Sequence, residues 1–207
     1  MKHENQFLFN ANRRKFIQYT GALIGGIAMP MGAIAATPIK GNNTLKVGLI
    51  GCGGRGAGAA SQALAADPDT ILTAMGDVFS DRLDESYNAL LEMYPGRIKV
   101  PKSNQFIGFD AYQKVINSGV DVVLLATPPG FRPDHLAAAV EAGKHTFSEK
   151  PVAVDAPGVR KVLAAAKKAK EKNLSVVSGF CFRYDSPKRE LFRRIQSGEI
   201  GQIRTIS

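Results

Sequence analysis

Leu45-Lys46-Val47-Gly48-Leu49-Ile50 runs directly into Gly51-Cys52-Gly53-Gly54-Arg55-Gly56. The first six residues are mostly apolar and read as a buried strand. The next six carry glycines in the spacing G-x-G-x-x-G. That spacing gains meaning when it follows a strand and opens a helix, and a helical pattern runs here from about Arg55 to Ala65. Gly51 permits a tight turn, Gly53 lets the backbone approach a pyrophosphate, and Gly56 lets the helix pack against the strand. Gly54 lies just before the helix, whose N-terminal free N–H groups and partial positive charge suit phosphates. Arg55 can add a side-chain contact.

Downstream, apolar runs alternate with helical patterns, which argues for parallel βαβ units. Thr70 to Met75 is a second strand ending near Asp77, and Ser80 is placed to cap a helix reaching about Met93. Arg97 to Phe109 contains a short third strand, and Asp110 caps a short helix ended by Gly119. Val122 to Ala126 is almost purely apolar, as expected of a strand covered on both faces. Pro133 opens a helix ending at Gly143. Lys144 to Ser148 is the fifth strand, Asp155 caps a basic helix to about Lys172, and Leu174 to Phe180 is the sixth strand. Pro187 to Gln196 is a last helix. Right-handed crossovers predict an α/β fold with a doubly wound parallel Rossmann sheet in the order 3-2-1-4-5-6. Ile203 to Ser207 begins another apolar run and stops, which reads as a truncated strand.

Asp77 lies 21 residues beyond Gly56. A carboxylate at the end of the second strand can accept both ribose hydroxyls of an adenosine and repel a 2′-phosphate. One charge pair at about 4 Å and an effective dielectric near 20 is worth roughly 4 kcal/mol, which favours NAD over NADP. Arg82 pulls the other way, because an arginine there can accommodate a phosphate. Thr127-Pro128-Pro129 ends the fourth strand and Glu149-Lys150-Pro151 the fifth, at the carboxyl edge where this fold binds ligands. Beside the positive ring of an oxidised nicotinamide, like-charge repulsion would favour the neutral amine of Lys150 and suit it to proton transfer.

The chain has 207 residues, 44% hydrophobic and 22% charged, which excludes a disordered chain and a membrane bundle. Its net charge is +9. Much of the excess comes from Arg160, Lys161, Lys167, Lys168, Lys170 and Lys172 on one helix. No aromatic residues interleave them, so they read as a solvated face and no nucleic-acid partner is expected. The cysteines, Cys52 and Cys181, fall after strands three apart, roughly 14 Å at about 4.8 Å per step. A disulfide needs Cα atoms within about 7 Å, so two free, mostly buried thiols are expected. His135 reads as a surface or packing residue on the helix after the fourth strand, and His145 as structural. No His, Cys or carboxylate cluster has metal spacing, and no metal is expected.

The first 36 residues read as an address. Asn12-Arg13-Arg14-Lys15-Phe16-Ile17 precedes an apolar run from Gly21 to about Ile34, too short for a comfortable span of about 20 residues. Ala33-Ile34-Ala35 offers small residues for cleavage. The segment resembles a twin-arginine (Tat) export signal, with Asn12 where Ser or Thr is usual. The resemblance implies the Tat machinery as a partner and a periplasmic location, with an inner-membrane anchor by an uncleaved signal as the alternative. The domain expectations are 1–36 signal peptide, 37–43 linker, 44–186 nucleotide-binding domain, and 187–207 the start of a second domain.

The glycine turn, Asp77, Thr127-Pro128, Ala142-Gly143-Lys144-His145 and Glu149-Lys150-Pro151, in this order and spacing, resemble the Gfo/Idh/MocA oxidoreductase family. The resemblance runs from about Leu45 to Ser207. It implies a bound nicotinamide nucleotide and hydride transfer at a sugar or polyol carbon. It places a lysine at position 150 in contact with cofactor and substrate. It also implies a second α/β domain with an open sheet, through which such proteins usually form homo-oligomers. Gly198-Glu199-Ile200-Gly201 resembles the junction to that domain. Arg132 stands where many members have histidine. Phe180-Cys181-Phe182-Arg183-Tyr184 stands where many have an amide and paired basic residues, with Arg183 keeping one of them.

Together these readings give an exported, NAD(H)-dependent oxidoreductase acting on a carbohydrate or polyol hydroxyl. Free NAD is scarce outside the cytoplasm, so a tightly held cofactor is expected. Two alternatives stand beside it: a redox-assisted glycosidase or lyase using bound NAD, and a non-catalytic nucleotide-binding or regulatory protein. The part of the chain in hand is expected to be inactive alone.

Overall fold

The structure is a computed structural model and describes residues 44–205. Residues 1–36, read above as an export signal, and residues 37–43, read as a linker, lie outside the described residues.

Six strands form one parallel sheet: β1 (Leu45–Ile50), β2 (Thr70–Asp77), β3 (Gln105–Ile107), β4 (Val122–Leu125), β5 (His145–Ser148) and β6 (Val176–Ser178). Their spatial order is β3-β2-β1-β4-β5-β6, the doubly wound order expected from the alternating pattern. The helices are α1 (Gly54–Ala66), α2 (Ser80–Met93), α3 (Ala111–Ile116), α4 (Arg132–Glu141), α5 (Ala156–Glu171) and α6 (Ser186–Gln196).

Both faces of the sheet are covered, and each has its own core. Leu49, Leu72, Met75 and Leu124 pack with Leu64 of α1 and Leu83 and Leu90 of α2. Ile50, Ala74, Val123 and Leu125 pack on the other face with Val115 of α3, Leu136 and Val140 of α4, and Ala165 of α5. Each such leucine contributes about 1.5–3 kcal/mol on leaving water. This is why Val47 to Ile50 of β1 and the whole of β4 read as apolar runs.

Several local expectations need correction. Phe79, not Ser80, holds the N-cap position of α2. The Asp77 carboxylate accepts the Phe79 N–H at 3.0 Å and so sets where that helix starts. Asp110 precedes α3 but makes no side-chain cap. Its carboxylate pairs instead with Lys114 at 2.8 Å, which holds its pKa below the usual carboxylate range. Asp155 does cap α5, accepting from Gly158 N–H at 2.7 Å. β6 spans only Val176–Ser178, because the chain turns at Gly179 into a 3-10 helix, Cys181–Arg183. Cys181 is therefore exposed rather than buried, whereas Cys52 is buried, and both thiols are free. Residues 201–205 form no strand.

The basic face of α5 faces acids on α4. Lys161 pairs with Asp134, and Lys168 and Lys172 pair with Glu141. Exposed pairs of this kind are worth about 0.2–1 kcal/mol each, so they complement the helix contact rather than create it. Glu141 is held below the ordinary carboxylate pKa mainly by its hydrogen bond to Lys168.

Candidate active site

The carboxyl ends of β1, β2 and β4 open into a cavity of about 590 Å³. Gly51 and Gly53 line it from the β1 turn, Asp77 and Arg82 from the β2 side, and Thr127 and Pro128 from the end of β4. Six of the residues singled out from sequence therefore meet in one space.

The turn has this shape because two glycines are needed there. Gly51 has φ +92°, in the left-handed region, and a Cβ on it would lie 2.6 Å from Thr127 N. A Cβ on Gly56 would lie 1.8 Å from Gly51 O, so α1 can approach β1 only with glycine there. By contrast, a Cβ on Gly53 or Gly54 would meet nothing within 4 Å, so that side is open. No side chain caps α1, and its first turn carries no acid. An uncapped N-terminus beside an open cradle fits an anion such as a pyrophosphate.

Asp77 joins the turn to β2. Its Oδ2 accepts the Cys52 N–H at 2.6 Å while its Oδ1 takes Phe79 N–H. Each oxygen keeps acceptor capacity toward the cavity. Cys52, the variable residue inside the motif, is fixed from three directions. Beyond the Asp77 bond, its carbonyl accepts from Ser86 Oγ of α2 and its thiol donates to Gly76 O at 3.5 Å. Burial first, and the Asp77 charge second, push its thiol pKa far above the ordinary value. Arg82 is exposed and faces Glu85 at 3.6 Å while lining the cavity.

The deeper wall was not legible in the motifs. Phe79, Phe109, Tyr112, Phe131, Arg132 and His135 also line the cavity. His135 is buried rather than on the surface: its ring stacks on Tyr112 with centroids 4.1 Å apart and its Nδ1 meets Thr127 Oγ1 at 3.2 Å. Burial lowers its pKa to about 4, with Asp134 opposing, so it is neutral at pH 7. The signal available in sequence was its place one turn from Arg132 on the helix that follows Thr127-Pro128. The other histidine after the fourth strand, His145, accepts Ser175 N–H at 3.0 Å, a structural role as expected.

The remaining residues sit beside the cavity, not in its lining. Glu149 N donates to Leu125 O at 2.9 Å, which places the end of β5 against the end of β4. The Glu149 side chain is 4% exposed and pairs with Nη2 of Arg55, which is 47% exposed. Arg55 thus reaches from the glycine turn to the β5 edge. A buried carboxylate needs such a partner to stay ionised without heavy cost. Lys150 is exposed and is joined to Pro151 by a cis peptide bond. Arg183 lies apart, with its guanidinium 5.3 Å from the Phe180 ring centre, and lines a second cavity with Phe182 and Phe192.

A glycine turn between β1 and α1, an acid at the end of β2, and a cavity across the β1–β4 strand-order reversal define a dinucleotide-binding α/β domain. The pattern of the oxidoreductase family with an NAD-binding Rossmann fold, the Gfo/Idh/MocA family, matches residues 45–178. The chain belongs to that family.

Among curated relatives, scyllo-inositol 2-dehydrogenase (NAD(+)) of Bacillus subtilis is 34% identical over 93 residues, covering 45% of this chain and 26% of that protein. Among solved structures, scyllo-inositol dehydrogenase from Lactobacillus casei with bound NAD(H) and scyllo-inositol is 25% identical, with a TM-score of 0.61. It covers 77% of this chain and 43% of that one. A 3-ketoreductase from Actinomadura kijaniata in complex with NADP is 28% identical, with a TM-score of 0.60, over 78% of this chain and 47% of that one. The chain spans less than half the length of the curated relatives it matches.

Proposed function

We propose that the whole protein is an exported NAD(H)-dependent oxidoreductase that acts on a carbohydrate or polyol hydroxyl. The observation that carries this reading is the shared cavity: the Gly51–Gly56 turn and Asp77 lie at one strand edge with Thr127 and Pro128. Family membership and relatives that act on inositols support it.

The residues present fit a nicotinamide dinucleotide. Gly51, Gly53, Gly54 and Gly56 with the N-terminus of α1 would hold its pyrophosphate, and Asp77 its adenosine ribose. When bound, the group supplies the hydride acceptor or donor. Relatives include both NAD(H) and NADP complexes. The negative charge of Asp77 supports NAD here, because a 2′-phosphate would meet it at close range. Thr127, Pro128 and the aromatic wall exclude water from the cavity end. Lys150 Nζ takes the proton from the substrate hydroxyl oxygen on oxidation and returns it on reduction.

The paired arginines of residues 13 and 14 and the apolar run behind them support Tat export to the periplasm. Export supports a tightly held cofactor, loaded before the folded protein crosses the membrane. A homo-oligomer formed through a second domain is part of the same reading.

The test is Lys150→Ala in the whole protein, assayed for NADH formation against a panel of inositols and sugars. Turnover should fall by about 10²–10⁴-fold, the usual contribution of a positioned acid–base group, with nucleotide still bound. Turnover equal to that of the parent protein would remove Lys150 from the mechanism.

A further inference from the structure

The backbone around Lys150 is held by one side chain from another element, Arg132, and by the carboxylate of its neighbour Glu149. Nη1 of Arg132, at the start of α4, donates to Glu149 O at 2.9 Å. The same Nη1 also donates to Pro151 O. The Lys150 N–H itself donates to Glu149 Oε2 at 3.2 Å. The carbonyls before and after Lys150 and its own N–H are therefore all taken up, although no strand pairing extends beyond Ser148. Arg132 is 6% exposed and Glu149 is 3% exposed, so both partners lie away from water. Burial pulls the Arg132 pKa below its ordinary value while Glu149 opposes the shift. A buried guanidinium is costly unless its donors are used. Here Nη1 goes to the main chain on either side of one residue, while the buried Nε has no partner among the described residues.

We infer that Arg132 is a positioning residue for Lys150: one guanidinium ties down the carbonyls of Glu149 and Pro151, so the amine is presented from a fixed backbone at the cavity edge. Arg132 also lines that cavity, so the same side chain forms its wall and fixes the residue beside it. A fixed backbone matters because small misplacements of a reacting group cost large factors in rate. The catalytic part of this inference rests on the reading of Lys150 as the proton-transfer group, while the backbone part stands on the hydrogen bonds alone.

The experiment uses the whole protein with Arg132→Gln, Arg132→Lys and Arg132→Met. Amide hydrogen exchange is followed in the segment 148–153, with the segment 45–60 as an internal reference, and NAD affinity is measured by titration. In Arg132→Gln the Lys150 amide should exchange at least about tenfold faster while the reference segment is unchanged. A tenfold change corresponds to about 1.4 kcal/mol of local opening. The kcat should fall about 10- to 100-fold with the KM for NAD nearly unchanged, and Arg132→Lys should recover part of both losses. Unchanged exchange at 148–153 in a folded Arg132→Gln protein would overturn the inference. If that variant does not fold, Arg132→Met decides: parent-like exchange and parent-like kcat with no donor at this position would overturn it equally. Faster exchange with unchanged kcat would leave the backbone clamp standing and refute its role in turnover. Loss of activity in Lys150→Ala, measured in parallel, shows separately whether the reading of Lys150 holds.

Discussion

The two halves of the cavity rim are built in different ways. On the β1–β2 side the rim is mostly main chain: the Gly51–Gly56 turn, the open N-terminus of α1, and Asp77 bonded to two backbone N–H groups. On the β4–β5 side it is a set of buried side chains: His135 meets Thr127, Arg132 holds the Glu149 carbonyl, and the Glu149 carboxylate accepts the Lys150 N–H. A main-chain cradle demands particular residues at particular spacings, because only glycine tolerates the geometry. A side-chain network demands only that partners from distant segments arrive at one place.

That contrast sets the largest expected effect. Gly56→Ala should cost at least the ~1–3 kcal/mol of an overpacked core and abolish nucleotide binding, because its Cβ would enter Gly51 O. Gly53→Ala, whose Cβ meets nothing, should leave thermal stability within a few degrees of the parent while weakening nucleotide binding. Denaturant unfolding and nucleotide titration of both variants separate steric need from ligand contact. Equal stability losses would erase the distinction.

Next in size is Asp77→Asn. The side-chain oxygen can keep one backbone bond, but the charge is lost. The ratio of NAD to NADP affinity should drop about 10- to 100-fold, or about 1.4–2.7 kcal/mol, read by competitive titration. An unchanged ratio would assign cofactor choice to Arg55 or Arg82.

A smaller effect comes from the side-chain half. His135 has its pKa lowered from 6.5 to about 4 in the fold. Between those values the unfolded chain binds a proton that the folded chain refuses. The contribution is therefore fully present above pH 6.5 and is lost as pH falls toward 4. His135→Gln should show a shallower decline of melting temperature between pH 7 and pH 4.5. Parallel declines in the two proteins would contradict the buried, neutral ring.

The smallest effect distinguishes two thiols. Cys181 should react with an aromatic disulfide reagent within seconds to minutes, and Cys52 only on unfolding. Two rapidly reacting thiols would place the glycine turn in a looser setting than its bonds to Asp77, Ser86 and Gly76 indicate.

The same contrast explains what the sequence disclosed. Strand order, the glycine turn and Asp77 were legible because apolar runs and glycine spacings report main-chain geometry directly. Thr127-Pro128 and Glu149-Lys150-Pro151 were legible as strand ends. His135 and Arg132 were not read as partners of this edge, because their roles depend on Thr127, Glu149 and Pro151 being brought to them by the fold. Cys181 was misplaced for a related reason: the apolar run to Phe180 suggested a longer strand, whereas β6 stops at Ser178 on the sheet edge, where one neighbour gives it little cover. Asp185 went unread as the cap of α6, although its carboxylate accepts Lys188 N–H at 3.0 Å.

The most direct test of the central claim is to purify the whole protein without added nucleotide, denature it, and identify what is released by chromatography and mass. NAD in near one-to-one ratio with protein is expected, or, if the protein is purified empty, a titration that favours NAD over NADP. A protein that releases neither nucleotide and binds neither would contradict that claim.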